Sequence, residues 1–314
     1  MTKEDSVSRA PAGERTKNTA PPASEPEKIW SDGVKLAVFT AGDPSAPVVL
    51  LMHGYPDTHR VWDQVSAALA DNWHVVSYDV RGAGASDAPA DLRGYRLDQL
   101  ADDLFAVADA VSPERPVHLA GHDWGSVQAW HAVTDPRAAT RIASFTSISG
   151  PCLDHVGHWY RRRLRRPTPR HLAEVLNQSV RSWYITAFHL PLLAPFAWRH
   201  GLARRWGGVL ARGEGVTPRP GFPDATLASD AVNGIGLYRA NMRPRMRTPG
   251  RRVAQVPVQV ITLTRDHYLT PSLVSADLDQ WAPRLTRRVI DATHWAALTE
   301  HGPLVAGMIG EFAG

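Results

Sequence analysis

An α/β fold is predicted, with a mostly parallel central sheet, helices on both faces and a helical insertion laid over it. Three observations predict it. Short apolar runs of strand length alternate with helix-length stretches. The strongest run, Val48–Met52, is apolar at every position, as a parallel strand buried on both faces should be. The alternation then breaks once, between about Gly150 and Val256, where helical patches, prolines and arginines replace strands.

Residues 1–27 contain Pro11, Pro21, Pro22 and Pro26, mixed charges and few apolar side chains, the composition of a disordered tail. The core is expected over 28–150 and 256–314. Its strands are expected at 35–40, 48–53, 74–79, 117–121, 142–149, 258–264 and 288–291, and its helices at 62–70, 97–111, 127–134 and 272–281. Residues 151–255 read as a helical cap domain. An insertion there can overhang the carboxyl ends of the strands, where open α/β sheets place their ligands.

At 314 residues and 34.4 kDa the chain can bury a large core. No apolar run approaches the roughly 18–20 residues of a membrane span. The N-terminus has no apolar segment of secretory type. Cys152 is the single cysteine, which excludes an intrachain disulfide and a multi-cysteine metal site. A cytoplasmic enzyme is the expectation. Charge is uneven: between His155 and Arg252 stand eighteen Arg, no Lys and four acids, a net +14, against −10 for the rest. A basic middle can attract anionic partners, although arginine-rich solvated faces are common. No nucleic-acid motif accompanies the charge, so nucleic acid is not an expected partner.

The sharpest local signal is Gly121-His122-Asp123-Trp124-Gly125-Ser126, between a predicted strand and a predicted helix. That is the setting of a nucleophile elbow, whose glycines permit a tight turn with one side chain at its apex. The apex residue is Asp123 rather than Ser. A carboxylate attacking an ester would make an anhydride, whereas one attacking a saturated carbon makes an ordinary ester that water can later cleave. The electrophile is therefore expected to be an alkyl carbon bearing a leaving group, such as an epoxide or a halide. His53-Gly54-Tyr55-Pro56 ends a strand ahead of the elbow, and the backbone N–H groups of Tyr55 and Trp124 are the candidate oxyanion hole. Asp266 follows an apolar strand and His294 lies 28 residues later, the chain order of nucleophile, acid and histidine found in this type of site. Asp154 is a rival for the acid.

These segments resemble the epoxide hydrolases of the α/β-hydrolase fold. The likeness runs from about Trp30 to the C-terminus and is strongest at 53–56, 121–126, 147–151 and 293–295. Within that family the chain looks closest to the hydrolase half of proteins fused to a short-chain dehydrogenase; no G-x-G-x-x-G element occurs, so a dehydrogenase half is not expected in this sequence. The resemblance implies two cap tyrosines that hold the epoxide oxygen, carried here onto Tyr184 and Tyr238. It further implies substrate contacts at His53, Pro56, Trp124, Trp183, Phe188 and Trp295, and no metal or organic cofactor.

The expected reaction opens an epoxide to a vicinal diol through an ester on Asp123. Two other readings are open. A haloalkane dehalogenase shares the Asp, Trp and His but has no use for two cap tyrosines. A non-catalytic lipid- or partner-binding protein could use the basic cap and the apolar stretch at 190–198. The same features suggest a bulky or lipid-like epoxide and peripheral contact with an anionic membrane surface.

Overall fold

The computed structural model describes residues 26–314. Among them, eight strands form one sheet: β1 (Glu27–Ser31), β2 (Val34–Ala41), β3 (Val48–Met52), β4 (His74–Tyr78), β5 (Val117–His122), β6 (Ile142–Ile148), β7 (Val258–Leu263) and β8 (Leu285–Ile290). Their order across the sheet is β1-β2-β4-β3-β5-β6-β7-β8. β2 is antiparallel to both β1 and β4, and every later pairing is parallel. β3 lies between β4 and β5, so the strand order reverses there. Residues leaving β3 and β5 meet at that switch point, where α/β sheets leave a crevice.

β3, β4 and β7 are buried at every residue; β3 is apolar throughout for that reason, while β4 and β7 also bury His74, Ser77, Gln259 and Thr262. β8 closes one edge and exposes Arg287 and Arg288, charges that discourage edge-to-edge pairing. Two helical groups pack against the sheet. One contains α1 (Asp63–Leu69) with two C-terminal helices described below; the other contains α2 (Leu97–Val111), α3 (Trp124–Val133) and α4 (Ala138–Arg141).

Between β6 and β7 the chain is helical: α5 (Leu153–Arg165), α6 (Pro169–Arg181), α7 (Trp183–Phe188), α8 (Leu193–Ala197), α9 (Ala203–Val209) and α10 (Leu227–Arg247). α6 starts where its residues dictate: Thr168 accepts from the His171 N–H, and Pro169 fills the first turn, where a missing N–H costs nothing. The chain returns to the core through α11 (Pro271–Ser275), α12 (Ala296–Thr299) and α13 (Gly302–Ala313). α12 and α13 pack with α1.

Three differences from the sequence expectation stand out. The tail expected over 1–27 lies outside the described residues except for Pro26 and Glu27, and Glu27 already opens β1. The helix expected over 272–281 is broken: Ala276 is extended and Asp277 left-handed, leaving α11 and one short turn. The Asp277 carboxylate is held there by Arg162 and Arg163 of the cap, a pull no local periodicity encodes. The C-terminal helix α13 had no counterpart in the expectation. Among the described residues no helix is long and apolar enough to cross a membrane.

Candidate active site

Asp123 stands between β5 and α3 with φ +52°, a backbone region that a non-glycine residue adopts only under constraint. The constraint is crowding. A Cβ at Gly125 would sit 2.1 Å from the Met52 carbonyl oxygen, and one at Gly150 2.1 Å from the Asp123 carbonyl oxygen. The glycines therefore let β3, the elbow and the end of β6 close on one another. The Tyr55 N–H donates to Asp123 Oδ1 at 2.7 Å, and the Trp124 N–H also supports the carboxylate. Burial raises the Asp123 pKa, against the pull of His294 and these two N–H groups.

The other carboxylate oxygen, Oδ2, lies 3.8 Å from His294 Nε2. His294 Nδ1 faces Asp266 Oδ2 at 3.1 Å, so the ring bridges two carboxylates. Ser149 Oγ, at the end of β6, is 3.0 Å from the same Nδ1 and donates to Asp266 Oδ2. Asp266 Oδ1 accepts from the N–H groups of Tyr268 and Leu269 at 2.7 and 3.0 Å. Burial would raise the Asp266 carboxyl, but His294, Ser149 and the Tyr268 N–H outweigh it and hold it at about 2. Burial would lower His294, but Asp266 first, then Asp123 and Glu214, push the ring up to about 9. Asp154 plays no part here. It accepts from the Gly250 N–H at 2.6 Å and lies 3.8 Å from both Arg245 and Arg252.

A cavity of about 500 Å³ opens over Asp123. Tyr184 on α7 and Tyr238 on α10 line it together with Trp124, and the two tyrosine rings pack edge-on with centroids 6.0 Å apart. Burial raises both hydroxyls well above the ordinary tyrosine value, with the Asp123 charge adding to it, so both are protonated donors at neutral pH. The Trp124 ring packs edge-on against that of Tyr238, their centroids 4.9 Å apart. The rest of the wall is largely apolar, with Val127, Leu153, Met246 and Leu273.

Several expected contacts fall elsewhere. Both ring nitrogens of His53 are occupied by backbone, Nδ1 by the Gly54 carbonyl and Nε2 by the Val80 N–H, so its role is to hold the loop after β3. Pro56 borders a separate small crevice. Trp183 is 70% exposed and points away from the cavity, because α7 turns its neighbour Tyr184 inward instead. Phe188 packs edge-on behind Tyr55, Tyr184 and Tyr238. Trp295 is buried against His294 rather than along the cavity wall.

Four residues escaped the sequence reading. Ser149 is one. Tyr268 lines the cavity with its ring 5.1 Å from that of His294. Asp57 is buried and accepts from Trp295 Nε1 at 2.8 Å; burial pushes its carboxyl up to about 7, with the Asp123 charge adding to the rise. Glu214 is buried behind His294, near the Trp295 N–H at 3.4 Å and His267 Nδ1 at 3.1 Å. Only Glu214 carried a signal: it is the lone acid between positions 175 and 223.

Comparison with known proteins agrees with this architecture. A family model described as the alpha/beta hydrolase fold matches residues 47–301. The chain is 38% identical over 289 residues to "Probable oxidoreductase EphD" of Mycobacterium tuberculosis, an alignment taking in 90% of this chain and 48% of that protein; the chain thus spans about half the length of this relative. It is 41% identical over 126 residues to "Epoxide hydrolase A" of the same organism, covering 40% of this chain and 38% of that one. Among solved structures, the Bacillus megaterium epoxide hydrolase in complex with an inhibitor superposes with a TM-score of 0.73 at 20% identity, covering 91% of this chain and 99% of that chain.

Proposed function

The chain belongs to the α/β-hydrolase family, and on that premise we propose that it is an epoxide hydrolase acting through a covalent ester on Asp123. The observation that carries the reading is a carboxylate held at a strained turn, with an imidazole on one oxygen and two protonated phenols sharing its cavity. The 41% identity to a segment of a protein named Epoxide hydrolase A supports it.

In this reading an epoxide enters under the cap and its oxygen accepts from Tyr184 and Tyr238. Oδ1 of Asp123 is engaged by the Tyr55 N–H, which leaves Oδ2 to attack a ring carbon. The carbon–oxygen bond of the ring breaks and one phenol delivers its proton to the departing oxygen. The product is an alkyl ester of Asp123. Esterification removes one of the negative charges that hold a proton on His294, so the ring's proton affinity falls and its resting proton passes to the phenolate, leaving a neutral imidazole where a base is needed. His294, oriented by Asp266, then takes a proton from water. The hydroxide adds to the ester carbonyl, and the oxyanion forms where the Tyr55 and Trp124 N–H groups already point. Collapse cleaves the acyl–oxygen bond, releases a vicinal diol and restores the carboxylate, and His294 keeps the proton taken from water, which returns the site to its resting state.

One observation weighs against halide release: two phenols, Tyr184 and Tyr238, share the cavity with Asp123, and a dehalogenase has no use for them. Likeness to one half of a longer relative named as an oxidoreductase supports kinship with hydrolase–dehydrogenase fusions. The buried lone Cys152 fits a reducing, cytoplasmic setting.

The test is intact-mass measurement after incubation with styrene oxide. His294→Gln is expected to gain the mass of one epoxide and keep it, Asp123→Asn to gain none, and the unaltered chain to release the diol. A His294→Gln protein that folds and gains no mass overturns the reading; bromide release from a bromoalkane with no diol formation replaces it with the dehalogenase.

A further inference from the structure

We propose that the cap docks on an anionic lipid surface through the outward side of α6–α8. Leu172, Leu176 and Val180 repeat every fourth residue along α6, and all three are exposed. Exposed apolar side chains continue along the chain at Trp183, Leu190, Leu192, Leu193 and Phe196, with Leu192 81% and Phe196 63% in solvent. Single exposed apolar side chains are ordinary, but eight large ones within 25 consecutive residues are the mark of a surface that something covers.

Charge identifies the covering partner. The one acid in this stretch, Glu174, is taken by Arg163 and Arg170 at 2.6 and 3.1 Å. Flanking this stretch along the chain are Arg165, Arg166, Arg199, Arg204 and Arg205, all exposed and none within ion-pair distance of a carboxylate among the described residues. Leu, Trp and Phe flanked by arginine on short helices is the pattern of an interfacial surface, where apolar side chains enter the acyl boundary and guanidinium groups meet lipid phosphates. A second copy of this chain fits less well, because a two-fold contact through this face sets arginines against arginines. The same helices wall the cavity through Gln178, Ser182, Tyr184 and Ile185. Docked this way, the cavity lies one helix layer from the lipid.

Vesicle sedimentation at low salt tests it. The chain is expected to bind vesicles of equal parts phosphatidylglycerol and phosphatidylcholine at least tenfold better than phosphatidylcholine alone, and to lose most of that binding at high salt. The triple variant Leu176→Ser, Leu192→Ser, Phe196→Ser alters only solvent-exposed side chains. It is expected to keep its thermal melt while losing at least tenfold in binding, as is Arg204→Glu with Arg205→Glu. No binding to the anionic vesicles, equal binding to both compositions, or folded variants that bind as well as the unaltered chain overturns the proposal. So does a dimer by analytical ultracentrifugation that the triple variant converts to monomer, which assigns the face to self-association.

Discussion

The ring of His294 lies between Asp266 at 3.1 Å and Asp123 at 3.8 Å, and its proton affinity is decided by which of those charges is present. Removing the Asp266 charge leaves burial, which lowers an imidazole, opposed by fewer anions. In Asp266→Asn the His294 pKa is therefore expected to fall by more than one unit from about 9, read by NMR titration of the ring protons; an unchanged value would remove Asp266 from the proposed relay. Glu214→Gln is expected to shift the same titration down by less, since Glu214 faces the Trp295 N–H beside His294 rather than the ring itself. Asp266 and His294 were legible as residues because chain order and strand ends are local features. Ser149 and Asp57 were not, since a lone serine and a loop aspartate mean nothing until their partners are known.

At the scale of elements, the elbow is a meeting of three strand ends, and its glycines are the contact points. Gly125→Ala places a methyl 2.1 Å from the Met52 carbonyl oxygen, on backbone that cannot swing aside. The variant is expected to lose about 3 kcal/mol or more of stability in urea denaturation, at the upper end for overpacking. Gly307→Ala on α13 is the control. Nothing lies within 4 Å of its added methyl, and an exposed helical Gly→Ala change is expected to gain up to about 1 kcal/mol. Equal costs at the two sites would refute the crowding account. Most elements could be read from the chain because burial on both faces leaves a continuous apolar run. β1 and the break after α11 could not: β1 is an edge strand with three of its five residues exposed, and the break follows from ion pairs to a distant helix.

For the whole molecule, buried titratable groups make stability depend on pH in three windows. Asp266 is depressed to about 2, so its contribution is present above the unfolded carboxylate value near 4 and is lost as pH falls through about 2. Asp57 is raised to about 7, so between about pH 4 and 7 the unfolded chain ionises while the folded one resists, and stability falls as pH rises. His294, raised to about 9, contributes fully below its unfolded value near 6.5 and loses that contribution as pH climbs through 9. Asp57→Asn keeps an acceptor for Trp295 Nε1 and removes one alkaline penalty. Its melting temperature is expected to exceed that of the unaltered chain at pH 8, by the equivalent of several kcal/mol at most, and to match it at pH 4. Equal melting temperatures at pH 8 would mean Asp57 is not forced to carry a buried charge.

Strand and helix alternation, the place of the insertion, the glycine-framed turn and the order of Asp123, Asp266 and His294 could all be read along the chain, because periodicity and glycine geometry act over a few residues. Which side chains those elements turn toward one another could not. Trp295 reaches Asp57 across 238 positions and Ser149 reaches Asp266 across 117. The same packing turns Tyr184 inward and Trp183 outward, ties His53 to backbone, and encloses Glu214 behind His294. Those outcomes depend on burial and charge pairing among segments that meet only when the sheet and cap are assembled.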